Sequence, residues 1–246
     1  MEEFKPEHET PFAESLVKSK YNDETFLRKD NPEQYLAELK NNPNFVIRFE
    51  KMTDIVENPE KIFETIQKGK ALLEELNDKY HIPVPVNFVI GKNDKGDAGL
   101  YTITSNIDGI NTPKDAKNET EKEACQLQYK ELVSTLIKYY SDKYRNNQPF
   151  LTDIYPCDQY KFGKKEADSH EHLYLIDTDA HNCSESNRKT FLERMEYQLK
   201  LLQEEYFPKY YQNGLLPEDA EDLEGGLMEL QYLVGGELDS IRYGRT

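Results

Sequence analysis

Residues 151–179 read LTDIYPCDQYKFGKKEADSHEHLYLIDTD, and what this stretch builds decides how the rest of the chain is read. Asp153 and Asp158 bracket a loop around Pro156. A polar loop follows, and then Leu173–Asp179, an apolar run that predicts a strand delivering Asp177 and Asp179 at its end. Acids gathered this way suit a divalent cation. Magnesium takes oxygen ligands and keeps several of its waters, so two carboxylates plus a phosphate are enough. A plainer alternative stands beside this: aspartates flanking a proline form turns, and acids on an acidic protein form a hydrated surface.

The chain has 246 residues, enough for one large domain or two lobes. Hydrophobic residues make up 37%, and 17 Tyr with 11 Phe furnish a core without tryptophan. The formal charge of −16 disfavours partners that need a basic face, so neither nucleic acid nor an anionic membrane is expected. No apolar run reaches the ~18 residues of a spanning helix. The first residues, MEEFKPEHET, lack the basic and apolar regions of a secretory signal. Cys125, Cys157 and Cys183 form no CxxC pair, so the expected compartment is a reducing cytoplasm.

Residues 1 to about 43 are polar and broken by prolines, with short helices predicted at Glu14–Ser19 and Pro32–Lys40. Asn44–Glu50, NFVIRFE, predicts a strand that carries Arg48. Asn58 as cap and Pro59 as first residue open a helix, and Ile62, Phe63, Ile66, Gly69, Ala71, Leu72, Leu73 and Leu76 give it an apolar face. Glu64 sits beside that face. Taken alone, Arg48 and Glu64 read as solvated charges. Pro83-Val-Pro85 then forces extended backbone. Val86–Gly91 and Leu100–Ser105 follow as two strands of a hairpin, ending in a polar linker at Ser105–Asp108.

That order resembles the small lobe of protein-kinase-like folds, closest to the aminoglycoside phosphotransferase branch. The resemblance implies an α+β, two-lobed architecture: a small antiparallel-sheet lobe over residues 1–107 and a mostly helical lobe over 108–246. It places Arg48 where the family has the lysine that holds nucleotide phosphates, with Glu64 as its helix partner. Ser105, Asn106 and Ile107 become the linker that offers backbone groups to adenine.

The second half extends the likeness. Glu119–Tyr144 is a long helix with Ala124, Leu127, Leu132, Val133, Leu136, Ile137 and Tyr140 near a 3.6-residue period. It leads into Asp153-Ile-Tyr-Pro-Cys-Asp158, which is similar to the family's catalytic loop Asp-x-x-Pro-x-Asn. By that resemblance Asp153 orients an acceptor hydroxyl, and Asp158 and Asp177 hold magnesium. The implied cofactors are ATP and Mg²⁺, and the implied reaction is transfer of the γ-phosphate to a hydroxyl of a small molecule or protein. Such chemistry depends on positioning and charge neutralisation more than on covalent help. Helices are expected from Ser184, with Glu185, through Phe207, and from Pro217 to about Leu233. The pairs Gly225-Gly226 and Gly235-Gly236 are not phosphate cradles, since no strand precedes them.

The departures define two alternatives. Leu151 and Thr152 precede Asp153 with no histidine, Asp158 replaces Asn, Asp179 replaces Gly, Arg48 replaces Lys, and no glycine occurs before Gly69. A guanidinium fork is not an ammonium point charge. A degenerate kinase-like protein that binds nucleotide or a protein partner is the first alternative. The second is a transition-metal hydrolase built on His170, His172, Asp177, Asp179, His181 and Cys183, since imidazole with carboxylate suits zinc, iron or manganese.

Overall fold

The computed structural model describes residues 42–52, 59–92, 95, 97–165, 170–178, 187–216 and 221–244. The expected helices Glu14–Ser19 and Pro32–Lys40 lie outside those residues, as do Asn58, Asp179, Ser184, Glu185 and Pro217. The architecture is α+β. The chain divides into two compact units, one of residues 1–66 with 85–106 and one of residues 67–84 with 107–246.

The first unit is built on an antiparallel sheet of β1 (Phe45–Lys51), β2 (Val86–Lys92) and β3 (Ala98–Ser105), in the order β1-β3-β2. On β1 the alternation is strict: Phe45, Ile47 and Phe49 are half-buried, while Val46, Arg48 and Glu50 are exposed. The inward set packs on Val89, Tyr101 and Ile103. Phe49 stands opposite Tyr101 in the register, and their ring centroids lie 4.8 Å apart. Such cross-strand aromatic pairs are what hold small sheets together.

Helix α1 (Pro59–Tyr80) begins at the predicted proline and leaves the first unit after Ile66. Its buried face is Ile66, Gly69, Leu72, Leu73, Leu76 and Tyr80, whereas Ala71, assigned to that face by spacing, is exposed.

The second unit holds the remaining elements: a sheet of β4 (Asp108–Ile110), β5 (Tyr160–Lys164) and β6 (His172–Leu175), and helices α2 (Glu119–Asn146), α3 (Arg188–Leu201), α4 (Phe207–Gln212) and α5 (Glu221–Tyr243). Gly109 and Gly163 face each other across β4 and β5. A Cβ on Gly163 would come within 2.2 Å of the Asp108 carbonyl oxygen, so only glycine allows this approach.

Helix α2 is capped by Asn118, whose side chain accepts the Glu121 N–H at 2.9 Å. Its buried side is rich in tyrosine, with Tyr129, Tyr139 and Tyr140 all fully buried, while Leu127 turns out to solvent. The half of α1 within this unit is tied to α2 by charge. Lys143, almost completely buried, donates to Glu75, and the Tyr80 hydroxyl donates to Asp142 at 3.0 Å.

Helix α3 starts at Arg188 with Asn187 as its cap, later than a Ser184 start would give. Arg188 makes a bidentate contact with Glu237 of α5, at 2.7 and 2.6 Å, and donates to the Tyr144 carbonyl at 3.3 Å. Those hydrogen bonds hold the Glu237 carboxyl below its usual range. Between α3 and α4 the helix loosens into a π turn, Leu202–Tyr206. Pro208 has no N–H to return to the preceding turn, which accounts for the loosening.

Helix α5 runs to Tyr243, well beyond Leu233, straight through both glycine pairs. Its inner seam, Leu227, Leu230, Val234 and Leu238, is continuous and outweighs the weak helix propensity of glycine. At Gly225 and Gly236 an added Cβ would meet nothing within 4 Å. Gly225→Ala and Gly236→Ala are therefore each expected to raise stability by about 0.5–1 kcal/mol, read as an upward shift of the urea midpoint.

Candidate functional site

The loop from Leu151 to Pro156 lies outside helix and sheet, apart from an isolated bridge at Leu151, yet Leu151, Ile154, Tyr155 and Pro156 are buried. Buried backbone polar groups need partners. Tyrosine hydroxyls supply them. The Leu151 N–H donates to the Tyr139 hydroxyl at 2.8 Å, and the Tyr140 hydroxyl donates to the Leu151 carbonyl at 3.4 Å. Tyr160 donates to the Ile154 carbonyl at 2.5 Å, Tyr210 to the Tyr155 carbonyl, and Tyr129 to the Cys157 carbonyl at 3.3 Å. Burial pushes the hydroxyls of Tyr129, Tyr140, Tyr160 and Tyr210 well above the ordinary tyrosine range. They stay protonated, and so remain donors, at any working pH.

Within this fastened loop Asp153 takes a left-handed backbone conformation, φ 57°. That region costs an L-residue about 1–2 kcal/mol, although aspartate tolerates it better than most. Its N–H donates to Gln198 Oε1 of α3 at 3.0 Å, and Gln198 is itself buried. Its carboxylate accepts from Gln159 Nε2 at 3.5 Å.

Gln159 then reaches the other candidate acid. Its carbonyl accepts the Ile176 N–H at 2.8 Å and the Asp177 N–H at 3.3 Å. One residue thus joins Asp153 to the segment carrying Asp177. The Ile176 N–H keeps the β5–β6 register, but the Asp177 N–H turns to the same carbonyl where the partner strand gives way to the 3₁₀ turn Cys157–Gln159, so β6 stops at Leu175. Asp153 and Asp177 are half-buried, whereas Asp158 is exposed in the 3₁₀ turn Cys157–Gln159. Gln159 Oε1 and Thr178 Oγ1 are buried with no hydrogen-bond partner among the described residues. Buried oxygens of this kind, like carboxylates, are donors that a hard cation and its waters satisfy. Sequence reading overlooked Gln159. Its only signal was its position directly after Asp158.

Neither described cysteine is poised for nucleophilic work. Burial pushes the Cys125 thiol up to about 12, and burial followed by the nearby Asp158 charge raises Cys157. Of the hydrolase set, His170 and His172 are exposed. Asp179, His181 and Cys183 lie outside the described residues. Among the described residues no group of three or more His, Cys, Asp or Glu is placed to hold a metal.

In the first unit, Arg48 is exposed on β1 opposite Thr102, and Glu64 is exposed on α1. In the linker, the Ser105 N–H donates to the Pro85 carbonyl at 3.0 Å and the Asn106 N–H to the Asn44 carbonyl at 2.7 Å. Those two amides are committed to the sheet's own end. Ile107 is buried. No helix among the described residues is long and apolar enough to cross a membrane.

No protein-family model, curated protein or solved structure matches this chain.

Proposed function

We propose that the protein is a kinase-like phosphotransferase that binds Mg–ATP and passes the γ-phosphate to a hydroxyl. The observation that carries this reading is the joining of Asp153 and Asp177 through Gln159, on a loop whose conformation is fixed from outside by tyrosines. Phosphoryl transfer asks a protein mainly for position and charge neutralisation. A left-handed aspartate on a pinned loop provides position, and its half-buried carboxylate can accept a hydroxyl proton. Asp177, with Asp158 beside the same turn, would hold magnesium, which neutralises phosphate charge. With only two protein carboxylates, phosphate oxygens and water complete its shell.

A second reading, a nucleotide binder without turnover, is favoured by one specific observation: the chain has no glycine before Gly69 to build a loop over phosphates.

Isothermal titration with ATP, with and without MgCl₂, separates these readings. Wild-type protein is expected to bind only with magnesium, and Asp177→Ala to lose about tenfold or more of that affinity. ADP release with water as acceptor should then persist in wild type and vanish in Asp153→Asn, with binding retained. Binding without turnover selects the second reading. Absence of binding sinks both.

A further inference from the structure

Of the eight large apolar side chains exposed among the described residues, five lie on α5: Met228, Tyr232, Leu233, Ile241 and Tyr243. Tyr232 is 82% exposed and Tyr243 71%. Of the five, Met228 and Tyr232 form a stripe with Gly225 and Gly236 on one side of the helix, opposite the buried seam, and Asp239 and Tyr243 continue that side. Tyrosine and methionine are side chains that protein interfaces favour. The two glycines serve no packing within the chain, since the space over both is open. Glycine on a helix face lets another backbone come close, because the distance between packed helices follows the side chains at the contact.

The charge on this helix says what comes close. Elsewhere acids and lysines alternate and pair, as in Lys189–Glu193, Lys200–Glu204 and Lys209–Glu205. From Glu221 to Ile241, α5 carries six acids and no lysine or arginine. Glu224 and Glu229 are exposed on either side of the stripe; of the acids on this helix, Glu237 is held by Arg188 and Asp239 is reached by Arg242 at 3.9 Å. An apolar stripe bordered and continued by acids complements an apolar ridge with a basic border. Two copies of this face would oppose acid to acid, which disfavours self-pairing.

We propose that the outer face of α5 docks an amphipathic helix of a partner protein, its apolar ridge flanked by lysines and arginines. This surface is independent of the phosphotransferase reading.

The test uses the full chain and a fluorescein-labelled 18-residue peptide of leucine and lysine with leucines at three- and four-residue spacing, followed by anisotropy. The peptide is expected to bind wild type. Tyr232→Asp and the pair Glu224→Lys/Glu229→Lys should each weaken it about tenfold or more. Glu123→Lys/Glu171→Lys, equally exposed but on other elements, should change it by less than about twofold. Gly225→Ala/Gly236→Ala should weaken the peptide while stabilising the chain, a split that a purely structural role would not give. Three results overturn the proposal: no binding of the ordered peptide; equal binding of a scrambled peptide, or equal loss in both charge pairs, which mean general attraction; and wild-type self-association in sedimentation that Tyr232→Asp abolishes, which makes the occupant a second copy.

Discussion

Glu75→Ala is expected to cost about 3–5 kcal/mol of stability, while Lys143→Met, at the other end of the same contact, should cost less than about 1 kcal/mol. The asymmetry comes from burial. Lys143 is 2% exposed, with its ammonium over the Tyr139 ring at 5.4 Å, and its partner Glu75 is 27% exposed. Removing Glu75 strands a positive charge among buried tyrosines with only that ring for compensation. Removing the Lys143 charge leaves Glu75 in contact with water and with Lys79 at 3.8 Å, and methionine fills most of the lysine's volume. Urea denaturation of the two variants side by side gives the comparison. Equal losses would mean that the contact stabilises through Coulomb attraction and not by compensating a buried ammonium. Because this contact ties α1 to α2, loss of Glu75 should also speed hydrogen exchange along Leu72–Tyr80.

The elements themselves were legible because their periods are local. The strands at Phe45–Lys51 and Ala98–Ser105 and the helices from Pro59 and Glu119 follow directly from alternation, caps and a 3.6-residue repeat. Errors arose where burial is decided by distant neighbours. Ala71 and Leu127 have the right spacing but face solvent, and β6 ends early because its partner strand begins only at Tyr160, after the 3₁₀ turn Cys157–Gln159. In α5, the expected end at about Leu233 falls just before the second glycine pair, yet a leucine and valine seam carries the helix on to Tyr243.

The candidate site was half legible. Asp153 and Asp177 announce themselves as acids beside a proline loop and at a strand's end. What joins them is a neutral glutamine, and what fixes the loop is a set of tyrosines up to 55 residues away in sequence. Composition gave 17 tyrosines but no hint that their hydroxyls, more than their rings, would organise the site. No local pattern encodes a side-chain hydroxyl meeting a remote carbonyl.

That role is open to direct test, and Tyr160→Phe and Tyr210→Phe are each expected to lose about 1–3 kcal/mol. Both changes keep the ring, so packing is nearly conserved and no cavity forms. What is lost is the donor to a buried carbonyl, that of Ile154 for Tyr160 and that of Tyr155 for Tyr210. An unmade buried hydrogen bond costs the full desolvation of the stranded group, which is why a one-atom deletion outweighs a surface substitution. The control is Tyr232→Phe, whose hydroxyl is in solvent and whose loss should stay within about 0.5 kcal/mol. The double variant should fall short of the sum, because adjacent peptide groups on one loop relax together once the first is released. If loop fastening sets the left-handed pose of Asp153, both single variants should also lower turnover more than Mg–ATP affinity, since magnesium is assigned to Asp158 and Asp177. Losses confined to stability, with turnover per folded molecule unchanged, would separate the tyrosines' structural work from the placement of Asp153.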